Sequence, residues 1–221
     1  MTIGHLVTRG YLMGVVERKE RERELRSESI IDAAERIFFD KGFEHATMND
    51  VAEEAELSKG ALYLYFHSKN ELCMAILQRS LLILKGIFKS LKGNNNQTGI
   101  EKFPELASEF INFTKQYPNH YNALLSYREH RENCPVTGKI IKSTIEENRN
   151  INNIISEIIR AGQIDKTIKT DIDADKLSLA LWGNFTGIMP SSILSEKVMP
   201  NFNPEDIIEY HFQLLINAIR T

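Results

Sequence analysis

The chain has 221 residues, 42% hydrophobic and 26% charged, with a formal net charge of -3 and a pI near 6.1. That length holds one large domain or a small one joined to a medium one. The slight acidity excludes nucleic-acid binding by bulk charge and leaves only local placement to provide it. Cys73 and Cys134 share no CxxC spacing and suit a reducing cytoplasm. No apolar run approaches the roughly 18 residues of a bilayer span, and no secretory h-region opens the sequence, so a cytoplasmic protein is expected. Met13 is an alternative start to Met1.

Residues 1–26 are expected as an N-terminal arm. Its Glu17–Arg26 stretch mixes Arg18, Lys19, Arg21, Arg23 and Arg26 with Glu17, Glu20, Glu22 and Glu24, and reads as a solvated helix start. Residues 27–71 then fall into short helices. Ile30, Ala33, Ala34, Ile37 and Phe38 recur at helical spacing, and Lys41-Gly42 ends that helix with glycine at the left-handed position. Thr47-Met-Asn-Asp50 is a capping box opening a short helix that buries Val51, Ala52 and Ala55. Ser58 caps a second short helix running to about Phe66. Only Glu56-Leu57 separates the two, so they must cross steeply, as in a helix-turn-helix.

On that second helix Leu62 and Phe66 stand four apart and face inward together. Gly60, Ala61, Tyr63 and Leu64 then face outward, with Tyr65 at the flank. Such a face suits a DNA major groove. The small Gly60 and Ala61 allow close backbone approach, and Leu64 can press on a thymine methyl. Tyr63 and Tyr65 carry hydroxyls for phosphate oxygens, Lys59 and Lys69 bracket the helix, and the amides near Ser58 and Thr47 add donors. An aromatic core stripe is the plainer alternative, but Tyr63, Leu64 and Tyr65 are consecutive and cannot all share one core. Against DNA stands the count between Lys41 and Asn70, where Glu44, Asp50, Glu53, Glu54 and Glu56 oppose Lys41, Lys59 and Lys69.

Ser68-Lys-Asn-Glu71 opens a long helix that fades at the polar Gly93–Gly99 loop. Helical patterns follow at about 101–116, 119–131, 136–161 and 173–195. A last helix starts at Asn203-Pro204-Glu205, a cap followed by proline at the first helical position. No convincing strand alternation occurs, so the expected fold is all-α: a three-helix helix-turn-helix bundle and a larger helical regulatory domain over 72–221.

The stretch Thr47-Met-Asn-Asp-Val-Ala52, then Leu57-Ser-Lys-Gly-Ala-Leu-Tyr-Leu-Tyr-Phe66 and His67-Ser-Lys-Asn-Glu-Leu72, resembles the DNA-binding domain of TetR-family transcriptional regulators. The resemblance spans Ile30 to about Leu77. It implies that Thr47, Met48, Ser58, Lys59, Gly60, Ala61, Tyr63, Leu64, Tyr65 and Lys69 lie at the DNA. Glu56 departs from the glycine common in that turn. The implied protein is a ligand-responsive homodimeric repressor, released from a palindromic operator by a small lipophilic or amphipathic molecule. A helical adaptor that binds another protein, with no small-molecule effector, is the alternative.

The last two helical patterns are apolar nearly all round and therefore need cover on every side. Trp182, Gly183, Gly187, Phe212, Leu215 and Ile219 are expected at a homodimer interface, the place the family resemblance also implies. Phe103, Phe110, Phe113, Tyr117, Tyr121, Leu124, Tyr127, Trp182, Phe185 and Met189 are candidates to line an effector cavity, although aromatic stripes more often simply pack. Arg128, with His130 and Arg131, hints at an anionic ligand such as an acyl thioester; solvated surface charge is the plainer reading. No phosphate-cradling loop, HExxH or GxSxG occurs, so an enzyme is not expected. His120, His130 and Cys134 are too far apart for a ligand pair, and neither metal nor cofactor is expected.

Overall fold

The computed structural model describes residues 4–94, 96–130, 139–188 and 204–221; the side chains of residues 4–15, 126–130, 139, 188, 204 and 205 fall outside that description. Among the described residues the chain is helical, and its extended pairing is limited to an isolated antiparallel bridge between Ile168 and Arg220. The helices are α1 (Gly4–Lys41), α2 (Met48–Glu54), α3 (Lys59–Tyr63), α4 (Lys69–Lys92), α5 (Lys102–Gln116), α6 (Pro118–His130), α7 (Lys139–Ile164), α8 (Ala174–Ile188) and α9 (Pro204–Ile219). Two compact units result, Met1–Ile76 and Leu77–Thr221, and the division falls inside α4.

The first unit is built on the expected apolar row of α1. Ile30, Ala33 and Ala34 are fully buried, with Phe38, Val51, Ala52, Leu62, Phe66 and Leu72 around them. The arm is not a separate segment: α1 runs without a break from Gly4 to Lys41, and Val16 to Arg26 form its exposed part. Gly42 ends the helix at φ +78°. Thr47 and Asp50 close the expected capping box, with Asp50 N–H donating to Thr47 Oγ1 at 3.2 Å and Thr47 N–H to Asp50 Oδ2 at 2.8 Å. Lys41 donates to the same carboxylate at 2.8 Å; that bond, with the Thr47 hydroxyl and amide, holds the Asp50 pKa down to about 2. The turn then forces Glu56 to φ 53°, a conformation that costs an L-residue about 1 kcal/mol or more.

Lys69, expected at the DNA, is bonded within the fold. Its ammonium donates to the carbonyls of Phe43 (2.6 Å), Ala46 (3.1 Å) and Glu44 (3.2 Å) and sits 4.4 Å from the centre of the Phe43 ring. An ammonium has three donors, and three carbonyls of the α1–α2 loop take them. The side chain therefore fastens that loop to the start of α4.

The second unit has a core of stacked phenylalanines. Phe110 stacks on Phe185 with ring centres 4.4 Å apart, and Phe185 on Phe212 at 5.4 Å. Phe88 and Phe103 close the cluster at its edges. Behind it α7 contributes Ile151, Ile155, Ile158 and Ile159, recurring every three or four residues and all buried. Lys69→Met, which keeps the stem but removes the three charge-assisted bonds, should lower stability by about 2 kcal/mol; urea unfolding monitored by circular dichroism measures it.

Candidate nucleic-acid interface and effector cavity

The α3 segment is short, and its two buried side chains fix how it lies. Leu62 is 0% exposed and Phe66 6%, whereas Tyr63 is 37% exposed and Leu64 72%. Ser58 Oγ accepts from Ala61 N–H at 3.2 Å and caps the first turn; Leu64, in αR conformation, ends it. Ser58, Lys59 and Gly60 are exposed, and Ala61 and Tyr65 are half-buried. A Cβ built on Gly60 would meet nothing within 4 Å. No neighbour inside the fold requires glycine there, so the space it leaves opens outward. Thr47 is exposed and Met48 half-buried at the start of α2, and Thr47 engages Asp50 through its amide and hydroxyl. Of the residues expected at the DNA, Thr47, Ser58, Lys59, Gly60, Tyr63 and Leu64 are exposed, Met48, Ala61 and Tyr65 are half-buried, and Lys69 is bonded to the α1–α2 loop.

The charge on this face is sparse. Arg36 is bonded to Glu54, Lys41 to Asp50 and Lys69 to the loop carbonyls. Among the described residues 42–70, Lys59 is the lysine or arginine left exposed without a bonded partner.

In the second unit most of the expected effector contacts turn out to be core. Phe103, Phe110, Phe113 and Phe185 are at most 1% exposed, and Tyr121 and Leu124 are buried. These rings pack on one another, which fills the space that a ligand would need. Tyr117 lies at the surface beside Phe113 and His120. Burial pushes the Tyr121 phenol up, and its hydroxyl has no hydrogen-bond partner among the described residues. The side chains of Tyr127, Arg128, His130, Arg131 and Met189 lie outside the described residues. Phe212 and Ile219, expected between protomers, are buried within the single chain, and Leu215 is half-buried.

A cavity of about 650 Å³ opens elsewhere, between α4, α6, α7 and α8. Its apolar side is formed by Leu77, Leu81, Leu124, Leu125, Leu179 and Trp182. Its polar side is a row that repeats every fourth residue of α7, Thr144, Asn148, Asn152 and Ser156, faced by Ser178 and Thr186 of α8. Thr144, Asn152, Ser156 and Ser178 are all buried. Of the expected effector residues, Leu124 and Trp182 border this space. Sequence reading passed over the α7 row because asparagine, serine and threonine in a helix look like solvent-facing filler. Their signal was the four-residue repeat alongside the isoleucine row. The charged groups at the rim are internally balanced: Arg149 pairs with Glu146 at 2.8 Å, and Arg160 Nη2 donates to both oxygens of Asp175 at 2.6 and 2.7 Å.

An exposed apolar face remains on α8 and α9. Leu179 is exposed on α8 with Ala180 and Gly183, and Ile207, Tyr210 and Leu214 are exposed on α9. The three on α9 follow one another by three and four residues and so share one side of the helix.

Residues 30–76 match the family of bacterial regulatory proteins called the tetR family. The chain is 44% identical over 59 residues to the HTH-type transcriptional regulator TtgR of Pseudomonas putida, a match covering 27% of this chain and 28% of that protein. It spans about three tenths of the length of the first curated relatives it matches. Its fold is similar along most of its length to two solved structures. A TetR transcription regulator from Haloarcula marismortui has a TM-score of 0.71 at 16% identity, covering 90% of this chain and 100% of that one. The regulator FadR from Bacillus subtilis, in complex with stearoyl-CoA, has a TM-score of 0.64 at 17% identity, covering 87% and 98%. The stretch that matches the tetR family, residues 30–76, is the one that holds the helix-turn-helix of α2 and α3 and the buried part of α1.

Proposed function

We propose that this protein is a homodimeric transcriptional regulator that reads a two-fold operator through α3 and releases it when a small molecule fills the α4–α6–α7–α8 cavity. The observation that carries the DNA reading is the exposed Tyr63-Leu64 pair beside the open surface of Gly60. An exposed leucine next to a glycine that nothing inside the fold requires is what a base edge with a methyl group calls for. Lys59, Tyr65, Thr47 and Met48 border that surface and supply phosphate and flank contacts.

The exposed apolar residues of α8 and α9 support self-association. Ile207, Tyr210 and Leu214, with Ala180 and Gly183, make an uncovered face on two neighbouring helices, and a second copy related by a two-fold axis would bury it. This places the interface one helix side away from Phe212 and Ile219. Two reading heads on a two-fold axis imply half-sites about one helical turn apart or a multiple of it.

For the effector, the cavity supports a neutral amphipathic molecule. Its volume is that of an ordinary ligand pocket, one wall is apolar, the other is an amide-and-hydroxyl row, and its charges are already paired. An anion would find no described cation on this wall that lacks a bonded partner. FadR of Bacillus subtilis was solved with stearoyl-CoA; the neutral row described here favours a different head group for this chain. α4 begins with Lys69 in the first unit and contributes Leu77 and Leu81 to the cavity in the second. It is thus the covalent route by which occupancy biases the reading head, with a coupling of about 1–3 kcal/mol.

Three measurements test this reading. In a gel-shift assay with the upstream region of the gene, Tyr63→Ala and Lys59→Ala should each weaken binding at least tenfold while helicity stays unchanged; wild-type affinity for both would refute the groove assignment. Leu214→Asp should give monomers in analytical ultracentrifugation and lose operator binding, and a dimer that survives it would put the interface elsewhere. Trp182 is the only tryptophan and borders the cavity, so its fluorescence should respond saturably to octyl glucoside and far less to octanoate. The opposite order would exclude a neutral effector.

A further inference from the structure

The reading head has few exposed cations, yet duplex affinity depends mostly on phosphate neutralisation. The missing charge is in α1. That helix continues as one rod from the buried bundle through Val16–Arg26, where every charged side chain is exposed. The arm looks like an even mixture in the sequence, but on a helix it sorts in part, with Glu22 left among the bases, Arg21 among the acids and Arg18 at the border. Lys19, Arg23 and Arg26 follow one another by four and three residues and lead directly into Ile30, Ala34 and Ile37, so they occupy the side of α1 that faces the helix-turn-helix. Glu17, Glu20, Glu24, Glu28 and Asp32 follow by three and four and occupy the opposite side.

The arm sets favourable opposite-charge pairs at four-residue spacing, Glu17–Arg21, Arg18–Glu22 and Glu22–Arg26, against unfavourable ones. Lys19 with Arg23, Glu20 with Glu24, and Glu24 with Glu28 are like-charge pairs at four-residue spacing, each of which destabilises an isolated helix. Among the described residues of the arm, Arg18–Glu22 is the one ion pair. Among the described residues, Lys19, Arg23 and Arg26 form no ion pair.

The course of the bundle says where the basic side leads. Lys41 meets Asp50 at the start of α2, and Arg36 meets Glu54 at its end. α2 therefore travels back along α1 toward the arm, and the turn at Glu56 leads from its end into the first turn of α3, with Ser58, Lys59 and Gly60. From Lys19 to Arg26 the helix spans about 10 Å, the length of roughly three phosphates on one strand.

We propose that the basic side of the α1 extension, Lys19, Arg23 and Arg26, is a second nucleic-acid surface that grips the phosphate backbone of duplex DNA beside the groove read by α3. It rests on the DNA-binding reading above but not on the identity of the operator. The acidic side faces away from the duplex and keeps the arm off the strand in any other orientation.

The test is the salt dependence of binding to a random-sequence duplex, followed by fluorescence anisotropy between about 50 and 200 mM salt. The full-length K19Q/R23Q/R26Q variant should show a slope of log K against log salt shallower by about 2.7, at about 0.9 per phosphate released. R23Q alone should lower it by about 0.9, and E17Q/E20Q/E24Q should keep the wild-type slope and bind at least as tightly. If the basic-side variants keep the wild-type slope while Lys59→Ala weakens binding, the arm proposal falls and the reading head stands. If the basic-side variants and Lys59→Ala all bind as wild type does, both fall. A matching loss in the acidic-side variant would show a general effect of the arm on folding and would also overturn the proposal.

Discussion

Burial of Leu62 and Phe66 governs the functional end of this protein. The two are one helical turn apart, and both lie in the core of the first unit. With them fixed inward, the residues between and beside them have no choice of direction. Tyr63 and Leu64 must face out, although an exposed leucine gives up about 1.5 kcal/mol or more of burial. The caps on either side keep the segment helical in spite of its length: Ser58 closes its first turn and the Thr47–Asp50 box closes that of α2. A five-residue helix is far too short to persist alone, so its geometry is set entirely by this anchoring.

Charge in the first unit follows a division of labour. Arg36, Lys41 and Lys69 are committed to holding α1, α2, the loop between them and α4 in register. Exposed pairs of this kind add little to stability; Lys69 differs because it satisfies three carbonyls of a loop that lacks regular backbone pairing. What is left for a polyanion is Lys59 on the reading head and the sorted cations of the arm. A net charge of -3 is therefore compatible with a DNA-binding surface, because two of the acids at this end, Asp50 and Glu54, are tied to Lys41 and Arg36.

The helix-turn-helix was legible in the sequence because its signals are local. The capping boxes, the Lys41-Gly42 stop, the steep connection at Glu56-Leu57 and the pairing of Leu62 with Phe66 are all spelled out within a few residues. The role of Lys69 inside the fold was not legible for the complementary reason: its partners are 23 to 26 residues away, and a lysine's sequence position carries no trace of three carbonyls converging on it. In the second unit the helices were legible but their facing was not. The apolar residues of α9 spread over more than one side of the helix, so the sequence did not separate Phe212 and Ile219, which are buried, from Tyr210 and Leu214, which are exposed. The aromatic residues were visible as a group, yet only packing decides between a lined cavity and a filled one, and here Phe110, Phe185 and Phe212 stack to fill it.

The cavity's polar row has a further consequence for how a ligand would act. Its members already satisfy one another or the backbone: Asn152 Nδ2 donates to the Asn148 carbonyl at 3.0 Å, Ser178 Oγ to Asn152 Oδ1 at 3.5 Å, and Ser156 Oγ to the Ala174 carbonyl at 3.4 Å. A molecule entering beside them exchanges hydrogen bonds and gains little net energy from the polar contacts. Its affinity must come mainly from the leucines and Trp182, and its polar groups choose among conformations. The long Ser178–Asn152 and Ser156–Ala174 bonds tie α7 to the start of α8 and its first half. On the proposed effector role, these are the bonds that a hydroxyl-bearing ligand would compete for, and its occupancy would loosen the seam between the two helices. A ligand without such groups would occupy the same volume and leave that seam closed. On the proposed effector role, hydrogen bonding in this cavity would set the response and apolar area the affinity.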